Sequence, residues 1–297
     1  MLESHPRRVP CPRSHAWLIG MLCAALSVPL AVGCDDGLGG VPQQTKIIHE
    51  HGPHVAKVVT DDIVRHRRGL QRAADRISAG FVRAKPERIE REMRVVMKMI
   101  RGTKKGVPEL VISPMSFMAV VGLDGKVIAR NAEPDKMRGM DLAAMFPQVK
   151  SALAGTLAMG LGEFASLEEG GEPSVTYVMA APAHYRDKVV GALVIGIPLW
   201  RWSQRLSRQL QGEAAGGPAT VLWVYVYRGD KLYHHGTPRD LDLVVPDAAA
   251  RATGLGASPG GYTGKLQQFG YWYGYGVRPI RVLGDDVGVV IFRMDPD

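Results

Sequence analysis

Arg130, Tyr177, Tyr185 and Arg186 are the residues whose types and placement suit ligand chemistry. Tyr177, Met179 and Ala181 alternate onto one face of a strand-like run that ends at Tyr185 and Arg186, and Arg130 closes an earlier run of the same kind. A guanidinium recognises a carboxylate through two parallel N–H groups and a phenol adds a further donor, so the set suits a small carboxylate-bearing ligand. The competing reading is that Tyr177 is core and both arginines are solvated. The chain holds no H-E-x-x-H, no Walker loop, no C-x-x-C and no C-x-x-C-H. No enzymatic activity and no cofactor are expected.

His49, His51 and His54 are close enough in sequence for zinc or nickel, but few carboxylates lie near them and the surrounding Gly- and Pro-rich stretch pre-organises nothing, so no metal site is assigned. The three cysteines are Cys11, Cys23 and Cys34. Arg7, Arg8 and Arg13 precede an apolar run from Ala16 to Val32 that ends Ala31-Val32-Gly33-Cys34, which is the pattern of a secretory signal. That ending resembles the lipobox at which bacterial lipoproteins are cut and diacylated, with Ala31 where Leu is usual. The resemblance implies a signal peptide over residues 1–34 and a lipid anchor on Cys34. The mature chain would then keep no free thiol and form no internal disulfide. Asp35 and Asp36 resemble the inner-membrane retention signal of enterobacterial lipoproteins. Residues 35–54 read as a flexible tether.

The elements that must position the candidate residues follow in order. Val59, Ile63, His66, Leu70, Ala73 and Ile77, and then Ile89, Met93, Val96 and Ile100, are spaced by fours and threes, which predicts two amphipathic helices within residues 55–105. Lys85-Pro86-Glu87 separates them, with Pro in the first turn of the second. Phe117 to Gly122 and Lys126 to Asn131 read as strands joined at Asp124-Gly125. Asp141 to Gly155 reads as one helix with Asp141 as N-cap. Val175 to Tyr185 and Val189 to Leu199 are two further strands, so residues 106–215 run strand, strand, helix, strand, strand. After an amphipathic linker helix beginning at Trp200, residues 216–297 repeat that order: TVLWVYVYRGDKLYHHG is a hairpin turning at Gly229-Asp230, and LDLVVPDAAARATG stands where the helical cap stood. In GYTGKLQQFGYWYGYGV, Tyr271, Tyr273 and Tyr275 share one face of a strand, and Trp272, Gly274 and Gly276 share the other. The fold class expected is α+β, with long N-terminal helices followed by one or two PAS-like antiparallel-sheet modules.

The turn in LDGKVIARN, the segment MDLAAMFPQVKSALAG, the strand YVMAAP and the closing strand VVGALVIGIPL together resemble the extracytoplasmic PAS-like sensors called Cache domains. The two modules in tandem resemble a double Cache domain, although the second departs from the usual spacing and could instead be a lone PAS-like extension. The resemblance implies a periplasmic small-molecule sensor on long N-terminal helices. Amine-sensing members carry an Asp on the closing strand where this chain has Gly196, so amino-acid binding of the usual kind is not implied.

The formal charge is +8, and its excess sits in the early helices as RHRRGLQRAADR and VRAKPERIEREMRVVMKMIR. On an exported lipoprotein such a stripe faces lipid headgroups, a partner or solvent, and no nucleic-acid partner is expected. The reading is a lipid-anchored sensor on the periplasmic side of the cell membrane, the inner membrane in preference to the outer. It would bind a small molecule and signal through an envelope partner such as a sensor kinase or chemoreceptor, since the chain ends without a kinase or second span. The alternative is a structural or adaptor lipoprotein that holds no ligand.

Overall fold

Spacing by fours and threes decides the first long element. Val59, Ile63, His66, Leu70, Ala73 and Ile77 all lie at 4% exposure or less, along one face of a single helix. The computed structural model describes residues 41–164, 173–214 and 220–295. It begins with α1 (Val41–Lys46), which continues through one π-helical turn (Ile47–His51) into α2 (Gly52–Arg83). Ala84 and Lys85 are extended, as the residue before a proline prefers, and α3 (Ile89–Ile100) folds back beside α2 after the 3-10 turn of Pro86–Arg88. A Cβ on Gly80 would lie 2.9 Å from Met93 Cε, so the missing side chain sets how closely α3 approaches.

After α4 (Pro108–Val111) come β1 (Phe117–Val121), β2 (Val127–Arg130), α5 (Leu142–Met145), α6 (Pro147–Leu153), β3 (Ala158–Phe164), β4 (Ser174–Tyr185) and β5 (Lys188–Pro198). They form an antiparallel sheet ordered β2-β1-β5-β4-β3. Gly125 takes the hairpin turn at φ +81°, a conformation that side chains resist. Asp141 caps as expected, its Oδ1 accepting from Ala144 N at 2.8 Å. The expected helix over residues 141–155 is instead two short ones, because Pro147 forces extended backbone on Phe146 and starts a new helix. The strand β3 was absent from the sequence expectation. Its AMGLGEF carries two glycines and little β-branched content, and it lies at the edge of the sheet against β4.

α7 (Leu199–Glu213) leads to β6 (Val221–Arg228), β7 (Lys231–Tyr233), α8 (Arg239–Asp242), α9 (Ala248–Ala257), β8 (Tyr262–Gln268), β9 (Tyr271–Pro279) and β10 (Val287–Met294). The second sheet is ordered β7-β6-β10-β9-β8, the same permutation as the first. Asp247 caps α9 through Ala250 N at 2.7 Å, as Asp141 caps α5. One apolar core runs from α2 and α7 across the inner faces of both sheets. The outer faces carry separate clusters, under α5 and α6 on the first sheet and α8 and α9 on the second. Asp62 pairs with Arg205 at 2.5 Å and His54 with Glu213 at 3.2 Å, so α2 and α7 are bound along their length.

Residues 41–54 are helical rather than the flexible tether expected of them, and Ile47 and His51 are buried. The reason lies on β9. A Cβ on Gly276 would come within 2.2 Å of Ile47 Cγ2, so the glycine face of that strand is the seat of the π-helical turn. Cys34, the signal segment over residues 1–34 and the first part of the tether lie outside the described residues. No helix among the described residues is long and apolar enough to cross a membrane.

Candidate functional site

The outer face of the first sheet is filled by aromatic side chains. Phe117 and Phe164 lie 5.2 Å apart, and Phe146 stacks on Phe164 at 5.9 Å. A Cβ on Gly196 would stand 2.2 Å from the Phe117 ring, and one on Gly162 would stand 2.6 Å from Phe146. At Gly196 the space a carboxylate would take belongs to Phe117, which is the physical counterpart of the missing Asp on the closing strand. The outer face of the second sheet is similarly closed, with Tyr225 against Phe292 at 5.7 Å and Tyr275 against Phe292 at 6.1 Å.

The structure does not bring the four sequence-derived ligand residues together. Arg130 binds its own loop: Nη2 donates to Pro134 O at 3.0 Å, and Nε lies 3.7 Å from Asp135, whose side chain is 3% exposed. Tyr177 is on the inner face, 5.6 Å from the Trp202 ring, and burial pushes its phenol up to about 12. Tyr185 and Arg186 stand at the exposed β4–β5 hairpin tip, where the Arg186 guanidinium sits over the Tyr185 ring at 5.4 Å and Arg186 has φ +52°. Tyr177 and Tyr185 are eight residues apart along β4, about 26 Å at the usual rise. The three early histidines also part company. His49 is exposed, His51 meets Arg293 and His54 meets Gln209 and Glu213.

Concave polar space lies instead at the seam between the modules. A cleft of about 810 Å³ is lined by Glu163, Ser174 and Val175 from the first module, Trp200 from α7, and Lys231, Tyr233, His234 and His235 from the second. Its size is that of ordinary small-molecule sites. Trp200 and Trp202 are two positions apart on α7, roughly 200° around the helix axis, so both cannot face the core. Trp202 is fully buried, while Trp200 turns to the cleft, where its ring meets His235 at 5.4 Å and carries the Arg201 guanidinium at 5.3 Å.

The second-module wall is held rigidly. His234 is fixed between Asp242, 3.2 Å from Nε2, and Thr237 Oγ1 at Nδ1, with the buried Tyr225 ring 4.8 Å away. Burial pushes the Tyr233 phenol up; Arg228 opposes this and the Glu163 carboxylate reinforces it. Glu163 and Lys231 supply a carboxylate and an ammonium from opposite modules, and both are exposed. The arrangement can hold a small polar molecule against an aromatic wall and hydrogen-bond it from both modules at once. None of these residues is among the ligand set read from the sequence. The two-residue spacing of Trp200 and Trp202 was the available signal for the indole, whereas Glu163 lay on a strand that the sequence did not announce.

The motif G-x-S-x-G does occur, at Gly256–Gly260, but there it joins α9 to β8. A nucleophile elbow runs from strand to helix, so this is the reverse order, and the exposed Ser258 caps a helix end.

No family model matches the chain, and no curated protein matches it in sequence. Solved structures do match. The sensor domain of the V. cholerae histidine kinase DctB is 11% identical with a TM-score of 0.51, over 86% of this chain and 96% of that one. The ligand-binding domain of the Campylobacter jejuni chemoreceptor Tlp3, solved with 4-methylisoleucine, is 11% identical with a TM-score of 0.50, over 86% and 90%. An extracellular ligand binding receptor from Desulfohalobium retbaense is 12% identical with a TM-score of 0.49; the match covers 84% of this chain and 40% of that longer one. The fold is that of Cache-type extracellular sensor domains.

Proposed function

We infer that this chain, built on the Cache-type sensor fold, is an extracytoplasmic sensory protein that binds a small polar molecule in the cleft between its two modules. The observation that carries the reading is the composition of that cleft: side chains from both modules and from the connecting helix line one polar space, so an occupant touches all three. A ligand that binds one relative arrangement better than another shifts the population toward it. The output passes to a partner, a membrane sensor kinase or chemoreceptor in the proposed arrangement, with Cys34 as the lipid anchor on the periplasmic side. Loss of the protein from the membrane fraction in Cys34→Ala checks the anchor, and unchanged fractionation removes it. No catalytic step is assigned. The chemoreceptor domain of like fold holds 4-methylisoleucine, but the ring of Phe117 at Gly196 favours a different position and ligand here.

A second reading, an adaptor that docks a partner and holds no ligand, is favoured by the closure of both outer sheet faces. A thermal-shift screen of small polar acids, amines and sugars separates the two, because a ligand specific to the folded state raises the melting temperature. A hit confirmed by calorimetry should bind at least tenfold more weakly to Trp200→Ala and His235→Ala. If no compound shifts the protein, or if every hit binds both variants as tightly as the parent, the cleft is not the sensing site.

A further inference from the structure

A second concave surface lies between the C-terminal half of α2 and the face of α3, away from the seam between the modules, and its chemistry is of another kind. Its volume is about 750 Å³. The floor is Ala79, Gly80, Val95, Val96 and Met99, with Val95 and Met99 left 47% and 51% exposed. The rim is Arg76, Arg83, Lys85, Arg88 and Lys105, and Glu92 is the one carboxylate lining it.

Two features define the groove. On the same helices Arg72 pairs with Glu109 and Arg94 pairs with Glu90 at 2.7 Å, both away from the groove. The five rim cations form no ion pair among the described residues, and Arg76 donates to the Lys105 backbone carbonyl at 2.6 Å. The apolar floor is equally specific in origin. A side chain at Gly80 would meet Met93 and Val96, so glycine at that position lets α3 close on α2 beneath the apolar floor.

We propose that this groove binds a single-chain anionic amphiphile, a long alkyl chain on the Ala79–Met99 floor with its carboxylate or phosphate head on the Arg83, Lys85 and Arg88 rim. An apolar trough attracts alkyl chain in proportion to the methylenes it removes from water. Unpaired guanidiniums select a carboxylate or phosphate head through parallel N–H donors. A second copy of the chain docking by the same face would set five cations against five, which excludes an isologous dimer on this surface. The ligand is a free single-chain amphiphile, and capture of one chain of a leaflet lipid is the other outcome that the vesicle experiment reads. The proposal does not depend on the cleft between the modules.

Calorimetric titration of the protein with the saturated series from hexanoate to dodecanoate, below micellar concentrations, tests it. Each added methylene should tighten binding by about two- to fourfold, and an uncharged dodecyl amphiphile should bind at least tenfold more weakly than dodecanoate. The double variant R83S/R88S should lose tenfold or more in dodecanoate affinity. Met99→Glu, which sets a carboxylate on the exposed floor, should abolish binding. Both sites are on the surface, so melting temperature and circular dichroism report that the fold is retained. Dodecanoate binding without flotation on phosphatidylglycerol vesicles supports the free amphiphile. Flotation with phosphatidylglycerol and not phosphatidylcholine vesicles, lost in the double variant, places the occupant in a leaflet and overturns that assignment. No dependence on chain length, or equal binding by the parent and both variants, overturns the proposal.

Discussion

His51 Nε2 lies 2.6 Å from Arg293 Nη1, joining the π-helical turn before α2 to β10. The same guanidinium holds Asp295 through Nε at 3.0 Å and Nη2 at 2.8 Å, and Asp295 accepts from Thr220 Oγ1 at 3.0 Å. Guanidinium nitrogens only donate, so His51 Nε2 must accept, and its imidazole is neutral with the proton on Nδ1. Burial first, and the Arg293 charge second, hold the His51 pKa below its ordinary 6.5.

Stability should therefore fall on mild acidification. His66 on α2 reinforces the effect: burial lowers its pKa to about 4, with Arg205 and Arg65 pushing the same way, and its Nδ1 has no hydrogen-bond partner among the described residues. Both histidines are depressed in the folded state. Below pH 6.5 the unfolded chain gains protons that the native one refuses, so the stabilisation is complete above 6.5 and is lost as pH falls through the folded values. For His66 the full loss is on the order of 3 kcal/mol by about pH 4. Asp62, raised above 3.8 chiefly by burial, titrates in the opposite sense, so the parent and the His66 variant are compared over one and the same interval, pH 7 to 5. Urea midpoints should drop over that interval and drop less in His66→Gln. An identical slope in the variant would show that His66 does not titrate as described.

Asp62 and Arg205 offer a test of how α2 and α7 are held. Asp62 is 2% exposed and sits 2.5 Å from Arg205 Nη1. Arg205→Ala strands a buried carboxylate and should cost about 3 kcal/mol, whereas replacing both partners by leucine should cost much less. A double-mutant cycle by chemical denaturation reads the difference. Additive losses would mean that the pair is not coupled.

Gly276 is expected to be intolerant for a reason far away in sequence. Gly276→Val should push Ile47 off β9 and cost about 1–3 kcal/mol by overpacking. Protease should then cut within residues 41–51 faster than in the parent, where Ile47 and His51 are buried. Ile47→Ala in the same chain should restore part of the stability, and a Gly276→Val protein as stable and as protected as the parent would refute the contact.

The amphipathic helices, both hairpins, the Asp141 cap and the repeated strand–helix–strand order could be read from the chain, because each rests on residues within a few positions of one another. The spacing from Val59 to Ile77 is a local periodicity, and Asp124-Gly125 is a local turn. The sensor-like fold class followed from those elements. Even so, β3 escaped, since an edge strand with two glycines has a weak local signature and is strand only because β4 supplies its hydrogen-bond partners.

The binding surfaces were decided by tertiary structure. Arg130, Tyr177, Tyr185 and Arg186 are chemically apt, but register puts Arg130 on its own loop, Tyr177 on the helix side and the other two at a hairpin tip. The cleft that does exist draws Glu163, Trp200 and His235 from three elements, and nothing local links them. The segment around Ile47 looked like a tether because Gly, Pro and His carry no helical pattern of their own. It is ordered by a glycine face more than 200 residues later, and a contact at that separation leaves no mark in the local sequence of either partner.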